Sequence, residues 1–346
     1  MSDSRPIALD AMGGDFAPAE IVQGGVDFAR ETGRRVLLVG RPERIEPVLA
    51  ATETAGADVE VVPARDVIGF DDTIQAIRRK RNSSLHVGTR LVRDGEAAGF
   101  VSAGHTGALM ALGKVVLGVI PGVQRPALPA PLPRRGEGYT ILLDVGANVD
   151  CRPEHLVQFA VMGTDYAARI FGVERPRVAL LSIGEEETKR NDLVQETAEL
   201  LRGTSLNFVG NCEGNSLFSD VADVVVCDGF VGNVALKVAE GLAEAIYGML
   251  KDEVAAGSLL NLLGGLAMRP AFKNLKRKID YAETGGVPLL GLRGVVVVAH
   301  GRSTARAVRG AMHVAAHAAE RDLVGRIGRE IGGLGPLAGP TEAGGG

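Results

Sequence analysis

The sequence predicts an α/β fold, with a mostly parallel sheet covered by helices on both faces, and three observations carry that prediction. Short Val/Ile/Leu runs recur along the chain, each closing on a small or acidic residue and a glycine-bearing turn. Each run is followed by a stretch of helical period, and this alternation marks βαβ units around a parallel sheet. Composition agrees: of 346 residues 46% are hydrophobic but only 4% aromatic, tryptophan is absent and glycines number 47. Such a core is built from Val, Leu, Ala and Ile, which suits strands buried on both faces.

Strands are expected at Ile7–Asp10, Val36–Val39, Val59–Val62, Gly99–Ser102, Ile141–Asp144, Val178–Ser182, Phe208–Gly210, Val224–Cys227 and Val295–Ala299. Helices are expected at Ala19–Glu31, Glu43–Ala55, Glu154–Phe171, Asp192–Arg202, Gly232–Val254 and Ser303–Arg329. The four prolines of Gln124–Arg135 exclude a helix and any central strand there, leaving an ordered connector or a crossing between two halves. Gly332–Gly346 reads as a disordered tail, so residues 1–331 form the expected α/β/α unit.

Several functions are disfavoured. A net charge of −4 gives no global attraction to nucleic acid. Cys151, Cys212 and Cys227 form no Cys-x-x-Cys pair, so no disulfide framework or zinc site is indicated. The N-terminus carries no signal-peptide apolar stretch, and no run reaches the roughly 18 apolar residues of a membrane span, so the expected location is cytoplasmic. No G-x-G-x-x-G follows a strand, Gly107–Val115 misses a P-loop in spacing and hydroxyl, and no G-x-S-x-G exists. His313 and His317 stand at i,i+4 without H-E-x-x-H, the spacing of two residues of an ordinary helix. No cofactor and no metal are expected.

What chemistry there is gathers in six turns, each after a strand: Asp10–Asp15, Ser102–Gly107, Asp144–Asp150, Ser182–Glu187, Cys227–Asn233 and His300–Ser303. In an open parallel sheet the carboxyl ends of the strands border the ligand crevice, and helix N-termini there present free N–H groups to an anion. Any one of these turns could be a glycine bend with a capping Asp or Asn. Six together point to a shared anion-handling cleft. Gly13, Gly14, Gly104, Thr106 and Gly107 are the candidate donors to that anion (phosphate, on the family resemblance described below), with Asn148, Asp228 and His300 as further substrate contacts and His105 as a candidate catalytic group. Lys189 would lie at the crevice mouth, where an anionic substrate needs a cation.

A second signal is the leucine-dense Ser258–Met268, with Leu259, Leu260, Leu262, Leu263 and Leu266, followed by Lys273, Lys276, Arg277 and Lys278. Apolar-then-cationic order suggests a tip at 256–280 that dips into an anionic membrane surface or docks an acidic carrier protein, against core packing or a dimer contact as the plainer alternative.

Ile7–Asp15 resembles the opening of the PlsX family of phosphate acyltransferases, and the likeness continues through Arg79–Ser84, Ser102–Met110, Arg125–Ala127, Leu143–Asp150, Leu156–Gly163, Gly184–Glu187, Asp223–Lys237 and Leu290–Gly294. The resemblance implies one α/β/α unit similar to the isocitrate and isopropylmalate dehydrogenases, with a mixed sheet and two intertwined halves. It implies transfer of a long-chain fatty acyl group from acyl carrier protein to inorganic phosphate, giving acyl phosphate for phospholipid synthesis. A homodimer, peripheral membrane association and a downstream glycerol-phosphate acyltransferase come with it. A phosphotransacetylase-like enzyme using acyl-CoA is the alternative. Lys189 and Asn233 fall on positions the family suggests for catalysis, Lys189 balancing the phosphate dianion and Asn233 donating to the thioester oxygen. Two departures stand out: His105 where the family usually has Asn, and Val231 where it usually has Thr.

Overall fold

The computed structural model describes residues 3–69, 71–184, 191–257, 264, 267–273, 275 and 285–335. The expected strands all form, in two sheets rather than one. The first has the order β10 (Val287–Pro288), β11 (Val295–Val298), β4 (Gly99–Ser102), β1 (Ile7–Asp10), β2 (Val36–Gly40) and β3 (Val59–Pro63). The second runs β5 (Pro129–Pro133), β6 (Tyr139–Leu143), β9 (Val224–Val226), β7 (Arg177–Ser182) and β8 (Asn207–Glu213). Pairing is parallel in both except at one edge of each, where β10 and β5 run antiparallel to their neighbours.

Alternation along each strand assigns its residues to two faces. Ile7 and Leu9 of β1, with Val36 and Leu38 of β2, join a cluster that also takes Ile141 and Leu143 of β6 and Val178 and Leu180 of β7. One apolar layer therefore touches both sheets. It is filled by helices α1 (Ala19–Thr32), α6 (Pro153–Phe171), α7 (Asp192–Arg202), α9 (Ala305–Glu320) and α10 (Leu323–Gly333), the last of which leaves the first sheet to lie against α6. The opposite face of the first sheet, including Ala8, Leu37 and Phe100, is covered by α4 (Ser84–Arg93) and α5 (Thr106–Leu112). The opposite face of the second, including Leu142 and Val225, meets only Leu236 and its neighbours from α8 (Gly229–Ala256) and the loop around Leu217.

Three expectations are corrected. The proline-rich connector contains strand β5, with prolines at 129, 131 and 133. Leu128 N–H and the Val145 N–H to Leu128 carbonyl bond show that even-numbered residues here face β6, so the prolines, which lack a donor, face away from it. The expected single helix Ser303–Arg329 is two, because Asp322 takes a left-handed conformation with φ 51° between α9 and α10. Regular structure also reaches Gly333, two residues into the expected tail.

The sheets meet at one point. Among the described residues that point is Ala127 and Leu290, which exchange N–H···O bonds of 2.9 Å each, two residues before Pro129 opens β5. No helix among the described residues is long and apolar enough to cross a membrane.

Candidate functional site

The strand-end turns fall into two sets of three, one at the carboxyl edge of each sheet, rather than one ring. In the first sheet β11, β4 and β1 are adjacent, which brings together the turns at 300, 102 and 10. Asp10, 1% exposed, ends β1. Its carboxylate accepts from Ser102 Oγ at 2.7 Å and from Met12 N at 3.1 Å, with Ser84 and Gly13 N–H also donating. Burial pushes its pKa up, and these donors hold it back. Ser102 Oγ in turn accepts from Gly104 N at 3.0 Å. Gly14 has φ +100°, a conformation L side chains rarely adopt, and this lets Asp15 N reach Gly301 O at 2.7 Å.

This geometry redirects two expected phosphate donors. The Gly13 N–H points to Asp10 and the Gly104 N–H to Ser102, so both shape the turn from within. Thr106 and Gly107 lie at the first turn of α5, where N–H groups have no helical partner. His105 is the N-cap, accepting from Ala108 N at 3.2 Å through Nδ1. An imidazole nitrogen thus does the work of the amide oxygen that an Asn would offer, which accounts for the departure at this position. His300 Nδ1 similarly accepts from Arg302 N at 3.2 Å. Ser303, in the same turn, is 2% exposed and its hydroxyl has no partner among the described residues. It was not singled out from the sequence.

In the second sheet β6, β9 and β7 are adjacent, and a buried carboxylate, Asp144, again follows the flanking strand, β6. Asp144 accepts four N–H bonds: Leu128 N and Ala147 N on Oδ1 at 3.0 and 3.1 Å, and Asn148 N and Nδ2 on Oδ2 at 2.7 and 2.9 Å. Burial raises its pKa as well, against these donors. Asn148 gives its side-chain amide to Pro126 O and Asp144, and its carbonyl accepts from Gly229 N at 2.7 Å. These bonds brace the loop. Asp228 caps α8, accepting from Val231 N at 2.9 Å.

Helix α8 starts tight against this turn. A Cβ on Gly232 would lie 1.9 Å from Asp144 O, so only glycine allows the approach. One residue on, exposed Asn233 donates from Nδ2 to Val145 O at 3.0 Å, leaving its second amide hydrogen without a partner among the described residues. Lys189 lies outside the described residues, as do Leu259, Leu260, Leu262, Leu263, Leu266, Lys276, Arg277 and Lys278. Lys273 is described and exposed.

Beside the Asp144–Asp150 turn an open cleft of about 590 Å³ is lined by Lys114, Gln124, Arg125, Asp150, Cys151, Arg152 and His155. Sequence reasoning missed it, since its cations come from separate elements. Among the described residues no group of three or more His, Cys, Asp or Glu could hold a metal ion.

A family model described as "Fatty acid synthesis protein" matches residues 6–326. The chain belongs to that family. Within it, the chain is 50% identical over 331 residues to the phosphate acyltransferase of Nitratidesulfovibrio vulgaris, covering 95% of each. It is 50% identical over 310 residues to that of Aquifex aeolicus, covering 89% of this chain and 91% of the relative. Among solved structures, a phosphotransacetylase from Streptococcus pyogenes superposes with a TM-score of 0.62 at 19% identity, covering 91% of this chain and 94% of the other. A branched-chain phosphotransacylase from Enterococcus faecalis gives 0.57 at 15% identity, covering 91% and 99%. These two show the fold: this member of the fatty acid synthesis protein family shares the three-layer, mostly parallel α/β architecture with them.

Proposed function

We propose that this protein transfers a long-chain fatty acyl group from an acyl carrier protein thioester to inorganic phosphate. The observation that carries the reading is half-identity along 95% of the chain with a phosphate acyltransferase. The geometry supports it, because no side-chain nucleophile is needed. A phosphate oxygen attacks the thioester carbon, the C–S bond breaks, and the proton of hydrogen phosphate passes to the departing thiolate, giving acyl phosphate and free thiol. A thiol pKa near ~8.5 makes that departure easy. The protein supplies position and charge.

In this reading the free N–H groups of Thr106 and Gly107, with the Ser303 hydroxyl, hold phosphate at the first set of turns. Asn233 turns its uncommitted amide hydrogen to the thioester oxygen as it becomes anionic, and Lys189 balances the phosphate charge. A donor aimed at a developing oxyanion is typically worth on the order of 10²–10³ in rate. The acyl phosphate would feed a glycerol-phosphate acyltransferase in phospholipid synthesis.

Helix α8 supports a homodimer. Phe230, Val234, Val238, Leu242, Ile246 and Met249 recur along one exposed stripe and are 48–64% exposed. A continuous apolar stripe of this length on a soluble surface marks an interaction face. The 256–280 segment, apolar then cationic, would carry the contact with an anionic membrane surface or with the acidic carrier.

The test is incubation with acyl carrier protein thioester and phosphate, trapping acyl phosphate as its hydroxamate, with acyl-CoA in a parallel arm. Phosphate-dependent hydroxamate is expected with the carrier thioester. Its absence from both arms sinks the reading, and formation with acyl-CoA alone favours a phosphotransacetylase-like activity. Lys189→Ala and Asn233→Ala are expected to fold normally and lose most of the activity.

A further inference from the structure

We propose that the cleft beside the Asp144–Asp150 turn is the seat of the phosphate group of a phosphopantetheine arm, the prosthetic arm through which a carrier protein or coenzyme A presents an acyl thioester. The inference rests on the acyl-transfer reading and adds where the non-reacting end of the donor is held.

Charge is the first argument. Lys114, Arg125 and Arg152 line the cleft against one carboxylate, Asp150. Lys114 and Arg125 are exposed and make no hydrogen bond or ion pair among the described residues. Arg152 is lightly held, by Gln124 Oε1 at 2.8 Å and by Glu154 at 3.9 Å. Two cations facing one opening without partners, in a protein of net charge −4, are placed for an anion.

The wall is also built for hydrogen bonding. Arg152 is the N-cap of α6, whose 19 residues put a positive dipole end at the cleft. His155 accepts from Arg152 N through Nδ1 at 3.1 Å, and burial with Arg152 and Arg125 nearby lowers its pKa. The neutral ring therefore carries its hydrogen on Nε2, a donor rather than an acceptor.

Size and place decide the ligand class. The cleft is about 590 Å³, within the roughly 300–1,000 Å³ of small-molecule sites and far more than one phosphate ion needs. Inorganic phosphate alone would leave most of it open, whereas a phosphate ester with an extended amide arm would not. The same loop that forms its near wall at Asp150 meets Asn233 at Val145. Five residue steps of chain span at most about 18 Å. An extended pantetheine arm covers such a span, so a phosphate seated here leaves its sulfur end able to reach the Asn233 amide.

The test uses the full-length protein and two probes that differ in one group, 4′-phosphopantetheine and pantetheine, with binding followed by calorimetry. Wild type is expected to bind the phosphorylated probe at least tenfold more tightly, and the Lys114→Gln/Arg125→Gln double variant is expected to lose that preference. In turnover the double variant is expected to raise KM for acyl carrier thioester, and for acyl-CoA if it is used, about tenfold without moving KM for phosphate. Equal binding of the two probes by wild type overturns the proposal, as does a rise in KM for phosphate, which would make the cleft the inorganic phosphate site. Loss of binding to phosphatidylglycerol vesicles with no change in probe binding would instead assign the cations to a lipid headgroup and also overturn it. A wild type that prefers the phosphorylated probe but forms no hydroxamate would refute the acyl-transfer reading and leave the site standing.

Discussion

The turns after β1 and β6 solve one problem with different materials. Each ends its strand on a carboxylate removed from water, Asp10 at 1% and Asp144 at 0% exposure, and each surrounds that carboxylate with donors. Around Asp144 every donor is an N–H, three from the backbone and one from Asn148. All its lone-pair directions are filled, and a proton could be added only by breaking one of those bonds. Around Asp10 two donors are serine hydroxyls, from Ser84 and Ser102, which can rotate and also accept. The second turn is therefore a fixed brace that anchors a 28-residue helix, while the first is a rearrangeable one that holds short turns against each other. Two like sites at like places in the topology need not share a role. The rearrangeable one is suited to an anion that comes and goes, and the fixed one to positioning Asn233.

The sharpest way to break this comparison is to remove each carboxylate. Asp144→Ala is expected to lower unfolding free energy by about 3–5 kcal/mol, because two buried and two part-buried donors lose their acceptor. Asp10→Ala is expected to cost about 2 kcal/mol, since its hydroxyl donors can find other acceptors. Denaturant titration measures both, and equal losses would erase the distinction. A Cβ at each turn's tight glycine comes next. Gly232→Ala would place its methyl 1.9 Å from a backbone carbonyl and is expected to cost about 3 kcal/mol. Gly13→Ala meets the Asp10 side chain at 2.5 Å and the Gly104 backbone nitrogen at 2.8 Å, and is expected to cost about 2 kcal/mol, less than Gly232→Ala because its backbone contact is the looser one.

A subtler probe is pH. Asp10 has a pKa raised above the ordinary 3.8, so its neutral form is favoured in the fold. The stability it contributes is present at low pH and is lost as pH rises through the folded value. The advantage of wild type over Asp10→Asn should therefore shrink as pH rises from 4 to 8, and a growing advantage would mean that the carboxylate is held charged. Asp165, on α6 and remote from both turns, gives the smallest effect and a scale. One of its oxygens is buried without a partner, the other lies 3.4 Å from Arg326 Nε, and its pKa is pushed up to about 6, first by burial and then by Glu330. Its stabilising contribution likewise disappears as pH climbs through about 6. Asp165→Asn should thus be more stable than wild type at pH 8 by about 1 kcal/mol after solvent screening, and not at pH 4.

The sequence was most legible where the chain repeats a local rule. Strands such as Gly99–Ser102 and helices such as Asp192–Arg202 announce themselves by period and by their closing turns, and the structure keeps those bounds. Strand β5 was hidden because prolines at alternate positions look like a break, and they are one only on the side that lacks a partner. The position of the turns was readable, but the direction of their donors was not. Gly13, Gly104 and Asn148 are small or amide residues at the right strand ends, yet their hydrogens point inward, to Asp10, Ser102 and Asp144 two to four residues back in the same turn and, for Asn148, also to the Pro126 carbonyl. Lys114, Arg125 and Arg152 line one cleft because the turn after α5, the connector before β5 and the start of α6 come together, and no spacing in the chain encodes that.

The prolines of β5 also act as a zip stop. The strand begins to pair outward at Ala127 with Leu290, and two residues later Pro129 removes the next outward donor, as do Pro131 and Pro133 after it. The two sheets can touch at one rung and no further. Replacing Pro129 and Pro131 with valine would remove that stop and let the rungs propagate, drawing the sheet edges together. The contact between the two sheet edges is thus kept to a single rung by a backbone that has run out of hydrogens to give.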